Sequence, residues 1–131
     1  MKRYIKARID QNGYSYEIED ALNENPQVRW GFALSSHDPE LLELLIYDSR
    51  LSVRIAVANN VYSSPDTLTE LSKDSSPKVR EAVARNDNTP PDTLMRLGND
   101  DDDLGVMAAI AANPNTPEDL KQRLYAKLYG E

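Results

Sequence analysis

Val79-Arg80-Glu81-Ala82-Val83-Ala84-Arg85-Asn86 decides the fold, because the chain carries this octapeptide in four versions. It stands 26 residues earlier as Val53-Arg54-Ile55-Ala56-Val57-Ala58-Asn59-Asn60, and 27 residues later as Val106-Met107-Ala108-Ala109-Ile110-Ala111-Ala112-Asn113. A fainter copy, Val28-Arg29-Trp30-Gly31-Phe32-Ala33-Leu34-Ser35, precedes the Val53 version by 25 residues. Between these boxes a second element recurs. It reads Pro39-Glu40-Leu41-Leu42, Pro65-Asp66-Thr67-Leu68, Pro91-Asp92-Thr93-Leu94 and Pro117-Glu118-Asp119-Leu120, each 26 apart. Leu45, Leu71 and Leu97 keep that interval, and so do Asp48, Asp74 and Asp100. Two interleaved elements holding one period mark a solenoid, in which stacked units share one core.

Each element reads as a short helix. Val53, Ala56, Val57 and Asn60 fall at i, i+3, i+4 and i+7, one helical face. Alanines on this element keep it slim, so that neighbouring units approach closely. Asn60, Asn86 and Asn113 end it, where asparagine is expected in the left-handed conformation that closes a helix. In the second element Ser64-Pro65 and Thr116-Pro117 set a hydroxyl at the N-cap and proline at the first helical position. Thr89 with Asp92, and Thr116 with Asp119, have capping-box spacing. Helices this short are marginal alone, so stacking must supply their stability.

The pattern Asp-x-x-x-x-Val-Arg-x-Ala-Val-Ala-x-Asn, followed by Thr-Pro-Pro-x-x-Leu-x-x-Leu, is clearest over residues 74–97. It resembles the leucine-rich repeat variant (LRV) family, and the resemblance extends over about residues 20–125. The resemblance implies a right-handed superhelix of α-helices alternating with shorter, often 3₁₀, helices, and no sheet in the stack. HEAT-like repeats share the signature but run nearer about 40 residues per unit, which makes them the runner-up. Some LRV proteins carry a cysteine-rich iron–sulfur segment. This chain has no cysteine, so no cofactor and no redox role carry over. The expected fold is an all-α solenoid of about four helix-turn-helix units, near residues 20–45, 46–71, 72–97 and 98–131. They form one domain behind a capping segment at residues 1–19.

The two ends leave alternatives open. The alternation through Arg3-Tyr4-Ile5-Lys6-Ala7-Arg8-Ile9, then Asn12-Gly13, then Tyr14-Ser15-Tyr16-Glu17-Ile18, suits a β-hairpin. Tyr14, Ile18, Ala21 and Leu22 suit a helix instead. A helix over about residues 15–23 is the preferred reading, with residues 2–11 open between strand and helix. At the other end Leu120, Leu124 and Leu128 form an apolar stripe, which either folds back as a cap or makes a homodimer contact.

The net charge of −7 is uneven. Residues 1–10 carry +3, from Lys2, Arg3, Lys6 and Arg8 against Asp10, which leaves −10 on the rest. A body that acidic repels nucleic-acid phosphates and anionic membranes and attracts basic protein faces. No apolar run approaches the roughly 20 residues that span a bilayer, and the first residues do not read as a secretory signal, so the expected location is cytoplasmic.

No constellation of catalytic chemistry stands out. Arg29, Arg54 and Arg80 recur at one place, with Met107 in the fourth unit. A basic stripe for an anionic ligand is one reading. The other, preferred because a residue that repeats with the scaffold serves it, pairs them with aspartates such as Asp48, Asp74 or Asp100, or with loop carbonyls. Asn60, Asn86 and Asn113 belong with this inter-repeat set. The run Asn99-Asp100-Asp101-Asp102-Asp103 falls before the last Val box, with the extra residue of the 27-residue step. Its spacing is not an EF-hand, since Ala111 sits where the bidentate glutamate belongs. Contact with a basic partner through Asp100, Asp101, Asp102 and Asp103, or plain solvation, are the alternatives. His37 lacks an orienting partner in any recognisable motif. Trp30 and Phe32 either fill space under the N-terminal cap or, like Tyr62, offer an aromatic anchor to a partner. The expectation is a non-catalytic protein–protein interaction module, a monomer or a homodimer through the C-terminal helix. The alternative is a small acidic inhibitor, or nucleic-acid mimic, that covers the basic surface of a nucleic-acid-binding protein.

Overall fold

The computed structural model describes residues 22–130 and, before them, the backbone of two short strands. β1 (Ala7–Ile9) and β2 (Ser15–Glu17) pair antiparallel, with Arg8 opposite Tyr16. The helix expected over residues 15–23 is thereby corrected. Its first three residues are strand, bonded to β1 along the backbone, and residues 22–25 form turns and bends ahead of the first helix. The Asn12-Gly13 turn, and the capping role assigned to residues 1–19, lie outside the described residues.

Eight helices follow among the described residues. They are α1 (Pro26–Ser35), α2 (Pro39–Leu44), α3 (Leu51–Asn59), α4 (Pro65–Leu71), α5 (Pro77–Arg85), α6 (Pro91–Asp100), α7 (Leu104–Ala112) and α8 (Glu118–Tyr129). The odd-numbered helices pack side by side as one layer, and the even-numbered ones cover it. Val53, Val79 and Val106 are fully buried, one above another through the stack, and Leu68, Leu94 and Leu120 meet them from the second layer. Full burial of each such side chain contributes about 1.5–3 kcal/mol. Ala56, Ala82 and Ala109 repeat as buried small residues where the odd helices touch. The second-layer helices are α-helical, not the 3₁₀ turns the family resemblance allows. Proline at the first position of α2, α4 and α6 and a buried leucine in each suffice to set full turns.

Two local readings change. Thr89 and Thr116 do not cap the helices that follow them; prolines 90 and 117 occupy those N-caps. With Ser63 they instead donate back to the carbonyls of Val57, Val83 and Ile110, at 2.6, 2.6 and 2.7 Å. A buried carbonyl near the end of α3, α5 and α7 is thereby satisfied. Ser64 makes the expected cap, accepting from the Thr67 amide at 3.1 Å, and Asp38 likewise caps α2 through the Glu40 amide. The extra residue of the 27-residue step is absorbed as helix. α4 ends at Leu71, whereas α6 runs three residues past Leu97, so Asn99 and Asp100 are helical and the linker is only residues 101–103.

α8 covers the far side of α7. It packs on α7 about as extensively as one odd helix packs on the next, burying Leu120 and Leu124. Met107, at the arginine position, is buried there too.

Candidate partner-binding face

The polar residues that repeat most faithfully turn inward. Each arginine grips the aspartate that opens the next unit with two nitrogens. Nε to Oδ2 measures 2.6 Å for Arg29–Asp48, 2.8 Å for Arg54–Asp74 and 2.6 Å for Arg80–Asp101. A third nitrogen donates to the loop ahead of the same helix, on Asn23, Asp48 and Asp74 carbonyls respectively. Each aspartate also accepts an amide two residues on, from Arg50, Ser76 and Asp103. Burial pushes the Asp48 carboxyl up, but the Arg29 and Arg50 hydrogen bonds and the charges of Arg29 and Arg54 outweigh it and hold it below its ordinary value. The Asp48 hydrogen bond correspondingly raises Arg29, against its desolvation.

Asn60, Asn86 and Asn113 form a parallel ladder. Each buried side-chain amide donates to two carbonyls of the preceding unit: Ala33 and Ser36, Ala58 and Asn60, Ala84 and Asn86, all within 2.7–3.1 Å. Its own oxygen accepts from Tyr62, Asn88 or Asn115. The expected left-handed conformation is corrected: φ is −77° or −78° and ψ 124–127°, extended backbone that aims the side chain down the stack. Asn88 and Asn115 make a shallower ladder to the Val61 and Asp87 carbonyls, and its 27-residue spacing in the sequence could have revealed it.

The acidic run divides. Asp101, not Asp100, partners Arg80, because the extra helical residue shifts the register by one. Asp103 caps α7 by accepting from the Val106 amide at 3.0 Å. Asp100 and Asp102 are exposed. The run is therefore no free acidic loop. Trp30 is 40% exposed on the outer side of α1. Tyr62 stacks on His37 with ring centroids 4.0 Å apart. No group of three histidine, cysteine or carboxylate side chains able to hold a metal gathers among the described residues.

Residues that differ from unit to unit lie outside. Leu34, Asn59, Arg85 and Ala112 occupy one exposed position of the odd helices at steps of 25, 26 and 27. On the second layer, Leu44, Glu70, Arg96 and Arg123 occupy another. A hollow of about 410 Å³ opens there between α2 and α4, lined by Glu43, Ile46, Tyr47, Asp66, Thr67 and Glu70. Tyr47 stands on its rim, 76% exposed, and its hydroxyl donates to Glu70 Oε2 at 2.8 Å. That hydrogen bond, then burial and the Glu70 charge, raise the Tyr47 hydroxyl above its ordinary value. Glu43, Asp66 and Glu70 escape a search for recurring motifs. Their signal is a break in a periodic row, acidic at Glu70 where Arg96 and Arg123 follow.

The leucine rich repeat variant family model matches residues 77–102. The matched segment runs from the start of α5 through the linker that carries Asp101, one full repeat including its tie to the next unit. No curated protein and no solved structure matches the chain.

Proposed function

We propose that this LRV-type repeat stack is a non-catalytic protein-interaction module whose contacts lie on the outward faces of its helices. One observation carries the reading. The polar groups that keep the period are consumed between units, while positions facing solvent, such as Leu34, Asn59, Arg85 and Ala112, follow no common chemistry. A scaffold that fixes its interior and varies its exterior is suited to recognition, and stacked units offer an extended surface for it. The charge of −10 outside the first ten residues favours a partner with a basic or mixed surface, not nucleic acid or membrane. No helix among the described residues is long and apolar enough to cross a membrane. A cytoplasmic setting suits the chain. Leu120 and Leu124 are spent within the fold, which favours a monomer over a homodimer through α8. The acidic-inhibitor alternative loses ground, because Asp101 and Asp103 serve the stack and leave only Asp100 and Asp102 of the run.

Affinity capture from the native host, at low and high salt, tests the reading. Trp30→Ser and Asp100→Asn/Asp102→Asn variants are compared with the wild type. The module keeps its partner at high salt and loses it through an outward-face substitution. Loss through salt and through the aspartate pair alone would make the inhibitor the better description. Identical capture by every outward-face variant refutes the interaction reading.

A further inference from the structure

We infer that the hollow between α2 and α4 is a socket for an arginine side chain projecting from a basic segment of the partner, an inference that rests on the interaction reading. The protein itself shows what fills such a gap. Between α4 and α6, Arg96 reaches back to the Ser72 hydroxyl, and Thr69 and Thr93 bond at 2.7 Å. Between α6 and α8, Arg123 reaches back to Asn99 at 3.2 Å. Each later gap is thus spanned by a guanidinium from the following helix. At the first gap that position is Glu70, and the polarity reverses: Tyr47 donates forward to the carboxylate.

The chemistry left there is complementary to a guanidinium. Glu43 and Asp66 have no cation partner among the described residues, and Lys73 approaches Glu70 only at 3.9 Å while more than half exposed. Asp66 and Glu70 sit at i and i+4 on α4, a like-charge pair that weakens a helix. The start of α4 compensates Asp66 in part through the helix dipole. Glu43 adds a third carboxylate across the gap. A planar cation entering here would meet carboxylates along its edge and the Tyr47 ring, held by its own hydroxyl bond, against its face. Ile46, packed against the core, supplies an apolar floor for the aliphatic stem. Three carboxylates thus line one hollow, and two of them, Glu43 and Asp66, are left for an outside cation.

The test uses a capped hexapeptide with two adjacent arginines among glycine and serine, titrated into the full chain and read by backbone amide NMR. Shifts should concentrate at residues 43–47 and 66–70, weaken steeply between about 50 and 500 mM salt, and vanish when citrulline replaces arginine. Glu70→Arg places a guanidinium where Arg96 and Arg123 stand. It should weaken the peptide at least about tenfold without lowering the melting temperature. Glu43→Gln/Asp66→Asn, which spares the Tyr47–Glu70 bond, should weaken it several-fold. Equal binding of the citrulline peptide, unchanged binding by Glu70→Arg, or shifts centred on Asp100 and Asp102 would each overturn the socket. If the socket fails while Trp30→Ser still abolishes host-partner capture, the interaction module stands without it.

Discussion

At the scale of single residues, the period announces which side chains matter and conceals how they work. Asn86 recurs because its amide holds two carbonyls of the preceding unit, which its place at a helix end does not disclose. Asn86→Ala would leave the Ala58 carbonyl without its side-chain donor, while the Asn60 carbonyl keeps the Ser63 amide, and should cost about 1–3 kcal/mol in a urea titration. Asn88→Ala, at the exposed ladder, should cost less than about 1 kcal/mol. The arginine–aspartate ties were legible as a pairing of repeated opposite charges. The choice of Asp101 over Asp100 was not, because it depends on whether the inserted residue enters a loop or a helix. The Arg29–Asp48 tie also sets an acid limit. The Asp48 carboxyl lies below its ordinary value when folded, so its contribution is complete above the unfolded carboxylate range, about pH 4–5, and is lost as pH falls toward the depressed value. The melting temperature should therefore be flat near neutrality and drop below about pH 4. Asp48→Asn should lower the neutral value and flatten part of the acid drop; an unchanged acid slope would exclude Asp48 as a contributor.

At the scale of elements, helix existence was readable from periodic apolar residues and proline starts, whereas caps and lengths were not. Thr89 and Thr116 read as N-caps, yet with Ser63 they bond to the helix behind, a choice made by tertiary packing. The longer α6 brings Gly98 against the last helix. A Cβ at Gly98 would stand 2.8 Å from Leu120 Cδ2, and Leu120 has no exposed surface into which to retreat. Gly98→Ala gains about 1 kcal/mol of helix propensity but overpacks this contact by about 1–3 kcal/mol. The expected outcome is net destabilisation. Combining it with Leu120→Ala should show a coupling of at least about 0.5 kcal/mol, and strict additivity would mean the two sites do not meet. The hollow beside Tyr47 was hidden at this scale as well, since a cavity arises from two helices and has no spacing of its own in the chain.

At the scale of the whole molecule, stability is a matter of neighbours. α3 and α5 have an odd helix on both sides, whereas α7 is covered by α8. Hydrogen exchange should be slowest in α3 and α5 and faster toward α1 and α2. Removing residues 114–130 should expose the Met107 and Ile110 side of α7, lower the melting temperature and promote self-association in size-exclusion chromatography with light scattering. A truncated chain that stays monomeric and melts unchanged would show that α8 is dispensable. The inter-unit ladders also bear on ancestry. The α3–α5 and α5–α7 seams present the same asparagine amide ladder and the same arginine–aspartate tie, so residues 60–85, spliced in again after Arg85, would find partners above and below without any substitution. Such a chain can lengthen by a single tandem duplication in its gene, and drift in the outer positions can then give each new copy its own specificity.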